Sequence, residues 1–242
     1  MKSKQSGFTL VEIAIVLVIV GLLLGGVLKG QELITSGKAK ALYADKSAIQ
    51  TAYNTYNDRF RAIPGDDLTA SARFSGQACG VAGQGTSSAV TLGLTCLNGD
   101  GSNTLTNIGQ GTKLTAASAA AITSGATNEA FKFWQHLRAA QLIKTEGSGT
   151  GEAFMQPINA GGGWTAINSV FIYEGQAPST LYFTQYGVPG NIASAVDGAN
   201  DDGFSNRGGI RAINNGTAVR PNTDTVGTPY PAAAQAVSMN LL

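Results

Sequence analysis

Residues 1–30, MKSKQSGFTLVEIAIVLVIVGLLLGGVLKG, contain a long apolar run behind a short basic segment. Residues 8–28 are all apolar or small except Thr9 and Glu12. As a helix rising 1.5 Å per residue, this run spans roughly 30 Å, about the hydrocarbon thickness of a bilayer. Two lysines and no acid precede it, so we expect residues 1–7 to stay on the cytoplasmic side. The stretch therefore predicts a single-pass membrane helix.

The apolar run differs from an ordinary secretory signal. Such a signal has an apolar region of about 7 to 15 residues, followed by a cleavage site of A-x-A type. Here the run is longer, and the small residues that follow are glycines without an A-x-A pattern. We therefore expect the apolar helix to remain part of the protein.

Glu12 is the acidic residue inside this run. On insertion scales a carboxylate at the centre of a membrane helix costs on the order of 2.5–3.5 kcal/mol, and less near the helix end. From the residues alone, two interpretations stay open. The side chain either extends to the interface, or it pairs with a cation in a helix bundle of low dielectric constant.

Composition limits the class of function. Net charge is +1 and 13% of residues are charged, so no overall field favours nucleic acid or acidic substrates. The 32 glycines, with abundant small polar residues, are typical of a loop-rich exported protein. No nucleophile elbow, zinc-protease motif or P-loop occurs, and the single histidine, His136, lies in an apolar helical pattern. We expect no enzymatic activity, no nucleic-acid partner and no cofactor, although two loops are weighed below as calcium sites.

The segment KSKQSGFTLVEIAIVLVIVGLL resembles the N-terminal segment of type IV prepilins and type II secretion pseudopilins. The shared features are a short basic leader ending in Gly, then Phe-Thr-Leu-x-Glu, then a long apolar run. The resemblance implies that a prepilin peptidase cuts between Gly7 and Phe8 and that the new N-terminus, Phe8, is methylated. IPGDD, FWQHLRAAQLI and DDGFSNRGGIRA are similar to segments of other pilin-like proteins.

Glu12 gains a specific role from this resemblance. Once Phe8 is the first residue, its amine and the Glu12 carboxylate are four positions apart, on one helix face. The pair can form within one subunit or between neighbours, and methylation leaves the charge of the amine in place. We therefore assign Glu12 to filament assembly.

The resemblance also implies location and partners. The chain would first lie in the bacterial inner membrane with its N-terminus in the cytoplasm, then in a periplasmic or cell-surface filament. Expected partners are prepilin peptidase, other pilin or pseudopilin subunits, and an inner-membrane assembly platform. A type IV pilin, major or minor, is the first expectation, and a type II secretion pseudopilin is the alternative. A membrane-anchored periplasmic enzyme or binding domain is the alternative of a different class.

Four glycines interrupt the second half of the apolar run. Gly21 and Gly25, and likewise Gly26 and Gly30, have small-xxx-small spacing, which permits close helix packing. Each glycine also lowers helix propensity by about 1 kcal/mol. Close packing and local unwinding in a filament both stay open.

Apolar residues at intervals of three, four or seven predict an amphipathic helix over residues 29–63, which continues the membrane helix. Pro64 and Gly65 should end it, and residues 64–242 should form a globular head. The predicted class is α+β: a long N-terminal helix on a small antiparallel sheet, as in pilins. Within the head, patterning predicts a helix over 129–143, a hairpin of strands 169–173 and 180–186, a short helix over 192–196 and a strand over 209–213.

Cys79 and Cys96 are the only cysteines. An isolated pair in an exported chain is most simply one disulfide that closes a short loop. Two buried free thiols are the alternative.

Two acidic loops are candidate calcium sites. Residues 98–105 carry alternating oxygen-bearing side chains but lack the closing Glu of an EF-hand. Residues 196–206 contribute Asp197, Asp201 and Asp202. In both loops the alternative is that Asp, Asn and Gly simply form turns.

Overall fold

A computed structural model describes residues 9–74, 96–105, 129–144, 156–168, 181–213, 230 and 235–241. The helices and strands are α1 (Leu10–Phe60), α2 (Ala70–Arg73), α3 (Glu129–Ala139), β1 (Thr165–Asn168), β2 (Tyr182–Val188), α4 (Gly190–Asn200), β3 (Ile210–Ile213) and β4 (Gln235–Asn240).

Helix α1 is continuous over 51 residues. It passes through the four glycines of the apolar run without a break, so no local unwinding is present in the single chain. The helix ends at Phe60 rather than at Ile63, because Arg61 adopts the left-handed conformation with φ 53°. The Arg61 N–H donates to the carbonyl of Asn57 at 2.7 Å. The helix therefore ends at this left-handed residue, three positions before Pro64.

The two halves of α1 have different surroundings. The helix is long and apolar enough to cross a membrane, and none of its most apolar window is buried. In the second half, six side chains are buried against the head. They are Ala39, Leu42, Ile49, Ala52, Tyr53 and Tyr56.

The four strands form one antiparallel sheet in the order β1-β2-β4-β3. The predicted α+β class is confirmed. The strand predicted over 180–186 is observed as β2, but its neighbour β1 covers 165–168, and residues 169–173 lie outside the described residues. Strand β4, between β2 and β3, was not predicted. Helix α3 ends at Ala139 rather than at residue 143, and Gln141 beyond it has a φ of 58°.

Among the described residues of the head, two of the buried apolar clusters include side chains of α1. In the first, Tyr53 and Tyr56 of α1 pack with Phe133 and Trp134 of α3 and with Phe183 of the sheet. The second lies nearer the membrane helix and joins Ala39 and Leu42 of α1 with α4 and the sheet. From α4 and the sheet come Ile192, Ala193, Val196, Val188, Ile210, Val237 and Met239. Helix α1 is thus held in the head along its whole second half.

Candidate functional site

The N-terminus of α1 is closed by a capping box between Thr9 and Glu12. The Glu12 Oε2 atom accepts hydrogen bonds from the Thr9 N–H and the Thr9 hydroxyl, both at 2.8 Å. In return, the Glu12 N–H donates to Thr9 Oγ1 at 3.3 Å. The carboxylate therefore turns back toward the N-terminal end of the chain, where residue 8 precedes Thr9.

The predicted processing site adjoins this cap. Gly7 and Phe8 lie outside the described residues, so the cleavage, the methylation and the pairing of Phe8 with Glu12 stay predictions. The capping box does not depend on residues 1–7, because its donors and acceptors belong to Thr9 and Glu12. Sequence reasoning missed the role of Thr9, although Thr-x-x-Glu before an apolar run is the signature of a capping box.

Open space surrounds the glycines of the apolar run. A Cβ atom built at any of Gly21, Gly25, Gly26 or Gly30 would meet no atom within 4 Å. Among the described residues these glycines therefore contact no other segment of the chain, and both expected roles, close helix packing and local unwinding in a filament, stay predictions.

His136 of α3 joins the loop that contains Gly65 to the loop that contains Leu97. Its Nδ1 atom accepts the N–H of Gly65 at 2.8 Å, and its Nε2 atom contacts the Leu97 carbonyl at 2.7 Å. This pattern requires a neutral ring with its proton on Nε2. Full burial lowers the pKa of His136 to about 4, which agrees with the neutral form. Its role is therefore structural.

The IPGDD loop lies tightly on α3. Gly65 has a φ of 94°, and a Cβ atom there would lie 2.5 Å from the Glu129 carbonyl oxygen, so only glycine fits. In the same loop, the Asp67 carboxylate accepts a hydrogen bond from the Tyr56 hydroxyl at 2.8 Å. It also forms an ion pair with Arg73 at 3.4 Å. Burial disfavours the charged form of Asp67, but its hydrogen bonds and the Arg73 charge outweigh this and lower its pKa.

Asp66 connects the same loop to residues 96–105. Its two carboxylate oxygens accept the N–H groups of Ser102 at 3.0 Å and Asn103 at 2.6 Å. Carboxylate oxygens of Asp66, Asp100 and Glu129 lie within 4.8 Å of one another. Burial, followed by the hydrogen bond to Asp100, raises the pKa of Asp66 to about 6.

This acidic cluster extends the first candidate calcium loop with two residues that sequence reasoning missed, Asp66 and Glu129. They are distant from the loop in sequence, so no local pattern could reveal them. The ammonium group of buried Lys132 lies nearby and donates to the carbonyl of Asn98 at 2.9 Å. Because the Lys132 ammonium lies close to these carboxylates, we interpret the cluster as a structural contact that holds the two loops against α3.

Asp197, Asp201 and Asp202 come together at the end of α4, again with carboxylate oxygens within 4.8 Å of one another. Each already accepts hydrogen bonds from the chain. Asp197 accepts the Tyr230 hydroxyl at 2.8 Å and the Gly203 N–H at 3.2 Å. Asp201 accepts the N–H of Ile210 at 2.8 Å.

The third carboxylate of this cluster, Asp202, accepts the Phe204 N–H at 2.9 Å and pairs with Arg207 at 3.1 Å. Burial raises the pKa of Asp197 to about 6, above its usual value of 3.8. These contacts fit the interpretation that the loop residues form turns. Calcium binding stays a prediction.

Cys96 is buried and takes part in a disulfide. Cys79 lies outside the described residues, so its pairing with Cys96 stays a prediction.

Comparison with known proteins gives one family match. The family model described as the prokaryotic N-terminal methylation motif matches residues 2–28. No curated protein matches the chain. Among solved structures, the chain is similar to the major type IV pilin of Clostridium difficile at 12% identity, covering 86% of this chain and 97% of that chain. The TM-score of 0.35 is too low to establish a shared fold.

The motif confirms the prepilin-type resemblance of the N-terminal segment. It supports a type IV pilin-like structural subunit, and it leaves the head without an assignment of its own.

Proposed function

We propose that this protein is a pilin, major or minor, of a type IV pilus-like filament. Prepilin peptidase removes residues 1–7 between Gly7 and Phe8, Phe8 is methylated, and the mature chain assembles through α1. The observation that carries the proposal is the methylation motif at residues 2–28, on a helix whose apolar half has no partner among the described residues of its own chain.

The exposed apolar half of α1 requires two successive environments. Every large apolar side chain from Leu10 to Leu28 is at least 44% exposed in the single chain. Lipid covers this surface while the chain lies in the inner membrane. Once the subunit leaves the membrane, another apolar surface must replace the lipid, and the equivalent helices of other subunits provide it. A structural rather than a catalytic role follows.

Glu12 is the charge that makes this association specific. Its carboxylate faces the N-terminal end of the helix, so the Phe8 amine freed by cleavage meets it there. Before cleavage this position carries a neutral peptide group. Removal of the leader thus creates the cation that Glu12 pairs with, and processing precedes assembly.

The partners of such a subunit are prepilin peptidase, other pilin subunits and an inner-membrane assembly platform. The precursor lies in the bacterial inner membrane with its N-terminus in the cytoplasm, and the mature chain lies in a periplasmic or cell-surface filament. A type II secretion pseudopilin is the second candidate. The carboxylate cluster of Asp197, Asp201 and Asp202 favours it, because some pseudopilins bind calcium in a C-terminal loop.

Co-expression with and without a prepilin peptidase tests the proposal. We expect sheared filaments only with the peptidase, and none from a Gly7→Leu variant. Gly37→Leu is the matched control, because Gly37 lies on α1 and a Cβ atom added there would meet no atom within 4 Å. Filaments from Gly7→Leu chains that keep their leader would contradict the proposal, and would favour an anchored enzyme or binding domain.

The role of Glu12 has a separate test. A Glu12→Ala chain should insert and be processed but form few or no filaments. Asp58→Ala is the control, because Asp58 is an exposed carboxylate near the other end of the same helix. Normal filaments from processed Glu12→Ala protein would refute the assembly role.

A further inference from the structure

A groove of about 800 Å³ lies between the middle of α1 and helix α4. It starts at Leu28, the last residue of the apolar run, so it continues the exposed apolar surface of α1 into the head. Much of its lining is small. The small lining residues are Thr35, Ser36, Ala39, Ala44, Ala195 and Ala199. Small side chains of this kind allow another helix to approach closely.

The groove contains two charged side chains, Glu32 and Lys40. Glu32 is already paired with Lys29 at 2.7 Å. Lys40 is exposed, and its ammonium group has no hydrogen bond or ion pair among the described residues. The Lys40 ammonium is therefore an uncompensated positive charge in a groove lined largely by small and apolar side chains.

The apolar half of α1 carries the complementary charge. Glu12 is the one charged residue between Thr9 and Leu28. Its Oε2 atom is used by Thr9, whereas its Oε1 atom accepts no hydrogen bond from any described residue. One oxygen of the carboxylate is thus left for a second cation.

We propose that this groove receives the N-terminal end of α1 from a second copy, with the Glu12 carboxylate of that copy beside the Lys40 ammonium. The inference rests on the proposed function. All copies insert into the membrane in the same orientation, so the two helices run parallel. Residues 12 and 40 are 28 positions apart on one continuous helix, so contacting copies are offset by about 42 Å along the helix axis.

The surface of α1 beyond the groove suits the same neighbour. At this offset, the apolar segment of the second copy continues past Lys40 along the exposed face that contains Ser47, Thr51 and Thr55. Each of these hydroxyls donates to the carbonyl four residues earlier, at 3.3, 2.9 and 2.8 Å. Hydroxyls satisfied by their own helix cost little to cover with apolar side chains.

Disulfide trapping in filaments tests the contact and its register. Val16 and Ala44 each lie one turn beyond the proposed pair, so a Val16→Cys, Ala44→Cys chain should form a ladder of covalent multimers on mild oxidation. The matched control is Val16→Cys, Asn54→Cys, which has the same number of added thiols at an offset of about 57 Å and should stay monomeric. Cys96 is already in a disulfide and does not compete.

The outcomes separate this inference from the proposed function. Filaments that form normally but give no ladder would overturn the inference and leave the function standing, and so would equal ladders from both variants. Tightly bound lipid in such filaments, at about one molecule per subunit, would assign the groove to lipid instead. Absence of filaments from the processed wild-type chain would overturn the proposed function itself.

Charge variants at Lys40 give a second readout. We expect Lys40→Glu to lower the filament yield at least about tenfold, because it places two carboxylates together. Lys40→Arg should keep the yield near that of the wild type. Lys38→Glu is the control, since Lys38 is also exposed but does not line the groove. A wild-type yield from Lys40→Glu would overturn the pairing.

Discussion

The two halves of α1 form one unbroken helix but differ in how far their apolar side chains are buried. In the first half, large apolar side chains are between 44% and 90% exposed. In the second half, Leu42 and Tyr56 are completely buried, although charged residues are more frequent there. The more apolar half is thus the one without a partner among the described residues of its own chain. This contrast indicates that the first half is built for contacts outside its own chain.

A pair of leucine variants tests the contrast most strongly. Leu42→Ala should lower the free energy of unfolding of the head by about 2–5 kcal/mol, because it leaves a cavity in a packed core. Leu17→Ala, at 66% exposure, should leave that free energy nearly unchanged. Thermal unfolding of the full chain in detergent, followed by near-ultraviolet circular dichroism, measures both. Equal destabilisation would contradict the division of α1 into two halves.

The hydrogen bonds of His136 should also contribute to the stability of the head alone. His136→Leu leaves the Gly65 N–H and the Leu97 carbonyl buried without their partner, at about 1–3 kcal/mol for each. The same unfolding measurement should show the loss, while insertion into the membrane stays normal. A variant as stable as the wild type would show that the imidazole does not hold the two loops together.

The pH dependence of the head should follow its buried carboxylic acids. The pKa values of Asp66 and Asp197 are raised from 3.8 to about 6. The stability that such groups contribute is fully present below about pH 3.8 and is lost as the pH rises through 6. Asp67 has a lowered pKa, so its contribution is lost only as the pH falls below its usual value.

We therefore expect the free energy of unfolding to decrease between about pH 4 and pH 6, because the two raised carboxyl pKa values outweigh the opposite effect of the lowered pKa of His136. The decrease should be smaller in Asp197→Asn. Denaturation at several pH values measures this slope. An Asp197→Asn chain with the wild-type slope would contradict the assignment of Asp197. The apolar half of α1 takes no part in this effect, so Leu17→Ala should keep the slope.

Calcium should give the smallest effect, again confined to the head. If the ion binds at Asp197, Asp201 and Asp202, it must compete with hydrogen bonds that these carboxylates already accept, so we expect a rise of only a few degrees in the unfolding temperature. Asp201→Asn should abolish the rise. An unfolding temperature that neither calcium nor a chelator changes would show that these carboxylates do not bind calcium.

Local patterns predicted the elements that depend on local physics. The apolar run, its single carboxylate and the Pro64 stop signal predicted α1 to within three residues of its observed end. Helix α3 and strand β3 followed from periodicity. The capping box also follows from a local pattern, because Thr9 and Glu12 have the Thr-x-x-Glu spacing of this motif.

The remaining features depend on contacts between distant segments. Strand β4 is buried on both faces and lies between β2 and β3, so its sequence QAVSMN has no clear alternation to reveal it. Asp66, Asp100 and Glu129 come together only when two loops close on α3. The groove likewise combines α1 with a helix more than 150 residues later in the chain, as the contact of Asn191 with Thr35 shows.

In the proposed function, removal of the leader produces a filament subunit with a methylated N-terminus. Intact mass and N-terminal sequencing of the protein from its native host, in sheared filaments and in membranes, test this most directly. We expect a chain that starts at Phe8 and carries one added methyl group. A mature chain that still starts at Met1, or one cut after the apolar run, would contradict it.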